Sequence, residues 1–162
     1  MVSTAREANF EPSSAEAAAL AKSIHNIVRS LLHQIQPSVE DEGISKGQFF
    51  AMHVLTNMSA ASLSTVAKRL AITAPSACVT IDSLEAAGLV RKHRSARDHR
   101  TVEVSLTPKG RRVEARVWDR IGRRIADAAG DLPPEDLATS VRVFHELDRR
   151  LDQTLKIRRG ED

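Results

Sequence analysis

Five basic side chains, Arg91, Lys92, Arg94, Arg97 and Arg100, fall within a ten-residue stretch. Guanidinium and ammonium groups at that density bind anions, and a guanidinium meets a phosphate with two parallel hydrogen bonds. The neighbouring pattern sharpens the point. Val102, Val104 and Leu106 alternate with Thr101, Glu103 and Ser105, which is the period of a strand. Leu89-Val90-Arg91-Lys92 starts a partner strand, and the basic connection from about His93 to Arg100 reads as a hairpin tip. An arginine at such a tip is slim enough to enter the minor groove of duplex DNA, where the potential is most negative. Upstream, Thr73 is placed to cap a helix whose first turn accommodates Pro75. That helix buries Ala77, Ile81 and Leu84 and turns Ala74, Pro75, Ser76, Val79 and Ser83 the other way. Small residues let a helix lie close to the floor of a major groove, and free N–H groups at its start suit a phosphate.

Charge follows the same map. Residues 62–112 hold ten Lys/Arg against four Asp/Glu, while the segments on either side are slightly acidic. Basic helices and turns are often merely solvated. A basic hairpin directly after two short helices is harder to explain as packing, and it points to double-stranded DNA.

Other chemistry finds little support. The sequence holds no phosphate-binding glycine loop, no dinucleotide fingerprint, no zinc-protease motif and no nucleophile elbow, so it is not expected to be an enzyme. Glu40/Glu42 and Glu135/Asp136 fall in loops or at helix starts, where they favour solvent or the helix dipole. The six histidines show no i, i+4 pair, so no metal site and no cofactor are expected. Cys78 is the single cysteine. It excludes an intrachain disulfide and reads more readily as a small hydrophobe than as a redox switch, the alternative it leaves open. Tyrosine is absent and aromatics make up 3%, against a stacking platform for single strands. The apolar stretches are too short for a membrane helix, and the first residues lack the basic start and apolar run of a signal peptide. A cytoplasmic protein with no membrane partner is expected.

The elements that position these residues are mainly helical, with a small β-wing. Residues 1–12 read as a flexible tail. Residues 13–44 form a helix and loop, opened by a Ser13/Glu16 capping box, striped by Leu20, Ile24, Ile27, Val28, Leu31 and Ile35, and ended by Pro37. Residues 45–107 form a winged helix-turn-helix. A second capping box, Ser45/Gln48, opens its first helix, and Ser64 caps a short helix from Val66 to Leu70. Residues 108–162 hold a long helix carrying Val113, Val117, Ile121 and Ile125. After the break at Gly130–Pro134, a last helix carries Leu137, Val141, Phe144, Leu147 and Leu151. Used for protein–protein contact instead, the winged helix would call for a neutral hairpin and an apolar recognition face.

From Leu63 to Gly110 the chain resembles the MarR family of bacterial winged helix-turn-helix transcription regulators. The resemblance lies in Leu63-Ser64, Val66-Ala67-Lys68-Arg69-Leu70, Pro75-Ser76, Leu84-Glu85-Ala86-Ala87-Gly88-Leu89-Val90, Asp98-His99-Arg100 and Leu106-Thr107-Pro108-Lys109-Gly110. It implies a homodimer built by the first helix and the last two, with Leu20, Ile24, Val141, Phe144, Leu147 and Leu151 at the interface. It also implies repression through an inverted repeat. Arg100 holds the place of the wing arginine, Asp98 that of the carboxylate orienting it, and Lys92 that of a usual arginine. Thr73, Ala74, Pro75, Ser76, Val79 and Thr80 fall on the DNA-facing part of the recognition helix. Valine at 79 departs from the polar residue common there. Either it packs inward, or it offers only apolar contact, and reading would then lean on Ser76, the wing and DNA shape.

Many family members release DNA when a small aromatic or anionic molecule binds. The corresponding candidates here are His33, Phe49, Met52, His53, Arg116 and Arg120. Phe49 and Met52 fit the core as readily as a ligand wall, and the two arginines fit plain solvent exposure.

Overall fold

The computed structural model describes residues 13–56, 58, 60–95 and 101–159, with side chains described through Gln153. The elements are α1 (Ser14–Glu40), α2 (Lys46–Thr56), β1 (Ala61–Ser62), α3 (Leu63–Leu70), α4 (Ala74–Ala86), β2 (Val90–Arg94), β3 (Val102–Leu106), α5 (Pro108–Ala129) and α6 (Pro134–Arg159). The chain is therefore mainly α with a small sheet. It divides into two compact units, one through Ile121 and one from Gly122 onward. Among the described residues no helix is long and apolar enough to cross a membrane.

Local caps form as their spacing dictates. Ser13 and Glu16 exchange hydrogen bonds across the first turn of α1, and Ser45 and Gln48 do so at α2. Thr73 accepts from the Ser76 N–H at the start of α4. Pro37, in contrast, does not end α1, which continues to Glu40. Proline forfeits one hydrogen bond, but the turn beyond it is anchored. Val39 is fully buried one turn after buried Ile35, the Ser38 hydroxyl donates to the Gln34 carbonyl, and the Asp41 N–H closes onto the Pro37 carbonyl.

The short helix also differs from expectation. Ser62, not Ser64, is the cap of α3: its hydroxyl accepts from the Thr65 N–H at 3.1 Å, and the helix starts at Leu63. Ser62 also belongs to β1, so the hairpin is part of a three-stranded antiparallel sheet in the order β1-β3-β2. Ala61 pairs with Val104, and Lys92 pairs with Val104 from the other side. As the central strand, β3 has Val104, Ser105 and Leu106 all buried, while Val102 near the tip is exposed. The simple in–out alternation therefore fails at both ends of this strand.

The core of the first unit gathers Phe49, Met52 and Leu55 of α2, Val66 of α3, Ile81 and Leu84 of α4, Val104 and Leu106 of β3, and Val113, Val117 and Ile121 of α5. Two helix ends are joined at its edge. Gly88 ends α4 in the left-handed region at φ 70°, with the Leu89 N–H returning to the Leu84 carbonyl and the Gly88 N–H to the Glu85 carbonyl. The Thr107 hydroxyl donates to the Gly88 carbonyl and accepts from the Gly110 N–H. Lys109 Nζ donates to the Ala87 carbonyl at 2.9 Å. One short segment thus caps the start of α5 and the negative end of α4 together.

Candidate nucleic-acid interface

The outward face of α4 carries Thr73, Ala74, Pro75, Ser76, Val79 and Ser83, all exposed, with Thr80 half-buried. Ala77, Ile81 and Leu84 face the core. Val79 is 70% exposed, so it points outward. The hydroxyls around it have local partners. Those of Thr73 and Ser76 bond each other at 2.8 Å, that of Thr80 donates to the Ser76 carbonyl, and that of Ser83 accepts from the Gln48 amide of α2.

Beside this face runs β2. Arg91 is exposed and donates from Nε to the buried Ser105 hydroxyl, and Arg94 is exposed at the end of the strand. Lys92, expected as a DNA contact, reaches back to α4. Its ammonium pairs with Asp82 and, at 3.2 Å, with Glu85. Glu85 also accepts the Lys92 backbone N–H at 2.9 Å, satisfying a donor that an edge strand would otherwise leave open. Hydrogen bonding from Lys92 holds both carboxyls below their usual range, and Asp82 in turn raises Lys92. This clamp ties β2 to α4. Sequence reading missed its acidic half, although Asp82 and Glu85 stand three residues apart on one flank of α4. Arg97, Asp98, His99 and Arg100, the candidate tip of the wing, lie outside the described residues.

Cys78 is partly exposed, with Sγ 3.5 Å from Asp82 Oδ2. Reactive thiols sit in electropositive surroundings, and this neighbour is anionic. Among the described residues no group of three or more His, Cys, Asp or Glu could hold a metal ion.

The six effector candidates do not share one setting. Phe49 and Met52 are fully buried in the core, and His33 stands exposed on α1. His53 Nδ1 lies 2.9 Å from Glu114 Oε1, and Trp118 Nε1 donates to the same oxygen at 2.9 Å. With its proton on Nδ1, His53 donates to Glu114 alongside Trp118, and the 3.2 Å approach of Trp118 Nε1 to His53 Nδ1 is then a donor–donor contact rather than a bond. Glu114 is a buried carboxylate that sequence reading passed over. Replacing it with leucine strips the acceptor from both rings and is expected to cost about 1–3 kcal/mol, read from the urea midpoint. Glu114→Gln, which keeps an acceptor, should cost less.

Arg116 and Arg120 do not simply face solvent. Arg116 grips Glu42 with Nε at 3.0 Å and Nη2 at 2.6 Å. Arg120 reaches the same carboxylate at 2.7 Å and the Ser38 carbonyl at 3.1 Å. The Glu42 side chain is only 8% exposed. The Arg116 hydrogen bond is the main cause that holds its carboxyl below the ordinary value. A carboxyl lowered by folding stabilises above its unfolded pKa, and that contribution is lost as pH falls through the lowered folded value. The stability advantage of the wild type over Glu42→Gln is therefore expected at neutral pH and should vanish as pH drops below the carboxylate range. Urea titrations of both proteins at pH 7 and pH 3 measure it.

The dimer candidates split by unit. Leu20 is exposed and Ile24 half-buried on α1. Val141, Phe144 and Leu151 are exposed and Leu147 half-buried on α6.

Comparison with known proteins agrees with this geometry. Residues 42–101 match the sequence model of the MarR family. The HTH-type transcriptional repressor MdtR of Bacillus subtilis is 26% identical over 87 residues, covering 51% of this chain and 56% of that protein. The chain thus aligns with little more than half of its curated relative. A MarR family protein from Bacillus stearothermophilus superposes with a TM-score of 0.78 at 19% identity, over 88% of this chain and 99% of that one. RV1404 from Mycobacterium tuberculosis gives 0.71 at 23% identity, over 86% and 96%. Wild-type MarR from E. coli gives 0.68 at 18% identity, over 79% and 96%. At these identities the superpositions speak for the fold, and the sequence match covers the helix-turn-helix and most of the wing. Together they show a chain with the fold of MarR family proteins, whose residues 42–101 match the sequence model of that family.

Proposed function

We propose that this protein is a sequence-specific, double-stranded DNA-binding transcription regulator. It acts as a repressor that binds an inverted repeat as a homodimer and leaves it when a small effector binds. The observation that carries the reading is the exposed small-residue face of α4 beside the basic strand β2, within the segment that matches the family. Repression is favoured by the aligned relative, which is itself a transcriptional repressor. Dimerisation is favoured by exposed apolar side chains on α1 and, separately, on α6, since such faces stay in water only at a cost. A cytoplasmic location follows from DNA as the partner. An anionic effector reaching Arg116 and Arg120 would compete with Glu42 for them, so release would loosen the link between α5 and the loop after α1.

Fluorescence anisotropy on duplexes tiled across the gene's own upstream region tests the reading. Saturable binding to one tile with an inverted repeat, at two protomers per site, is the expected result. Uniform weak binding to every tile, insensitive to salt, would sink it.

A further inference from the structure

We propose that Val79 selects the operator by contact with the methyl group of a thymine in the major groove of each half-site, an inference that rests on the DNA-binding reading above. The recognition helix contains no Arg, Lys, Asn or Gln from Ala74 to Ala86. Those are the side chains that pair bidentately with guanine or adenine edges, so α4 makes no such contact. Its acidic residues, Asp82 and Glu85, could accept from cytosine, but both are held by Lys92. The hydroxyls of Thr73, Ser76, Thr80 and Ser83 are engaged in local bonds. Beside these partly engaged hydroxyls, the outward face is apolar. Val79 is 70% exposed, the highest value among the large hydrophobic residues described. Of its neighbours one turn away, Pro75, Ser76 and Ser83 are compact and Asp82 is drawn to Lys92, so its methyl groups stand proud of the helix. The core does not need a valine there. In the major groove the thymine C5-methyl is the apolar feature a base pair presents.

The test is a scan in which each thymine of the bound duplex is replaced by deoxyuridine, which removes the methyl and nothing else. Wild-type protein and Val79→Ala are compared by anisotropy. One thymine per half-site is expected at which the replacement weakens wild-type binding about fourfold, the value of one buried methyl-sized group. Val79→Ala should bind both duplexes alike at that position. Binding that no thymine replacement weakens would overturn the inference while leaving the DNA-binding reading intact. So would a position whose penalty persists in Val79→Ala. Loss of all salt-sensitive duplex binding by the wild type would overturn both.

Discussion

Gly110→Ala is expected to lower folding stability by about 3 kcal/mol or more, at the upper end of overpacking effects. A Cβ built at Gly110 lies 2.0 Å from the Leu89 carbonyl oxygen, 3.0 Å from its carbon and 3.1 Å from a Leu106 methyl. The first two are backbone, so no side chain can swing away. The same carbonyl accepts the Thr107 N–H at 3.0 Å, and Leu89 sits one residue past the α4 cap. Relief therefore requires moving α5 away from the end of α4. Gly122→Ala is the control. It lies in the same helix with nothing within 4 Å of its Cβ, and there the substitution should stabilise by about 0.5–1 kcal/mol. Equilibrium urea unfolding of both variants measures the contrast. Similar small shifts in the two would mean that the close approach at Leu89 is absent in solution.

The second large effect concerns salt. Operator affinity is expected to fall on the order of a thousandfold between 50 and 200 mM monovalent salt, as several phosphate contacts per dimer would require. The clamp adds a distinction between two neighbouring cations. Arg91 is exposed on β2 with a neutral hydroxyl as its partner, and Arg91→Met should weaken binding and reduce the salt slope by about one per protomer. Lys92 pairs with Asp82 and Glu85, so it is expected to act as a positioning residue. Lys92→Met should weaken binding while leaving the slope almost unchanged, and Lys92→Arg should restore much of the loss. Equal slope changes in both methionine variants would show that Lys92 turns to the phosphates when DNA arrives.

What the sequence made legible is what is decided within a few residues. Ser13, Ser45 and Thr73 cap their helices because the acceptor and the N–H it serves are three positions apart, and the stripe Ala77, Ile81, Leu84 repeats on one helix face. Gly110 stood out as part of a motif, but its reason, a carbonyl of another element, was hidden. The same holds for Pro37, where burial of Val39 outweighs the local rule, and for Ser62, whose strand partner Glu103 comes much later in the chain. Arg116 and Arg120 were noticed as a pair one turn apart. Their partner Glu42 lies 74 residues from Arg116, and no periodicity reveals such a distance. On the site itself, residue types marked the α4 face and the basic strand. Which cation is spent inside the protein depended on a tertiary contact.

The pairing of Ala61 with Val104 bears on how the molecule assembles. Everything that forms α3, α4 and β2 lies within the loop these two residues close. The two helices are well signalled locally, yet the sheet at their base is complete only when its latest strand arrives. Contacts between residues so distant in the chain form slowly, since loop entropy must be overcome before they stabilise anything. During synthesis from the N-terminus, the unit of α3, α4 and the sheet is thus expected to stay unfinished until β3 has emerged, and a chain stopped before Val102 should yield helices without a stable domain.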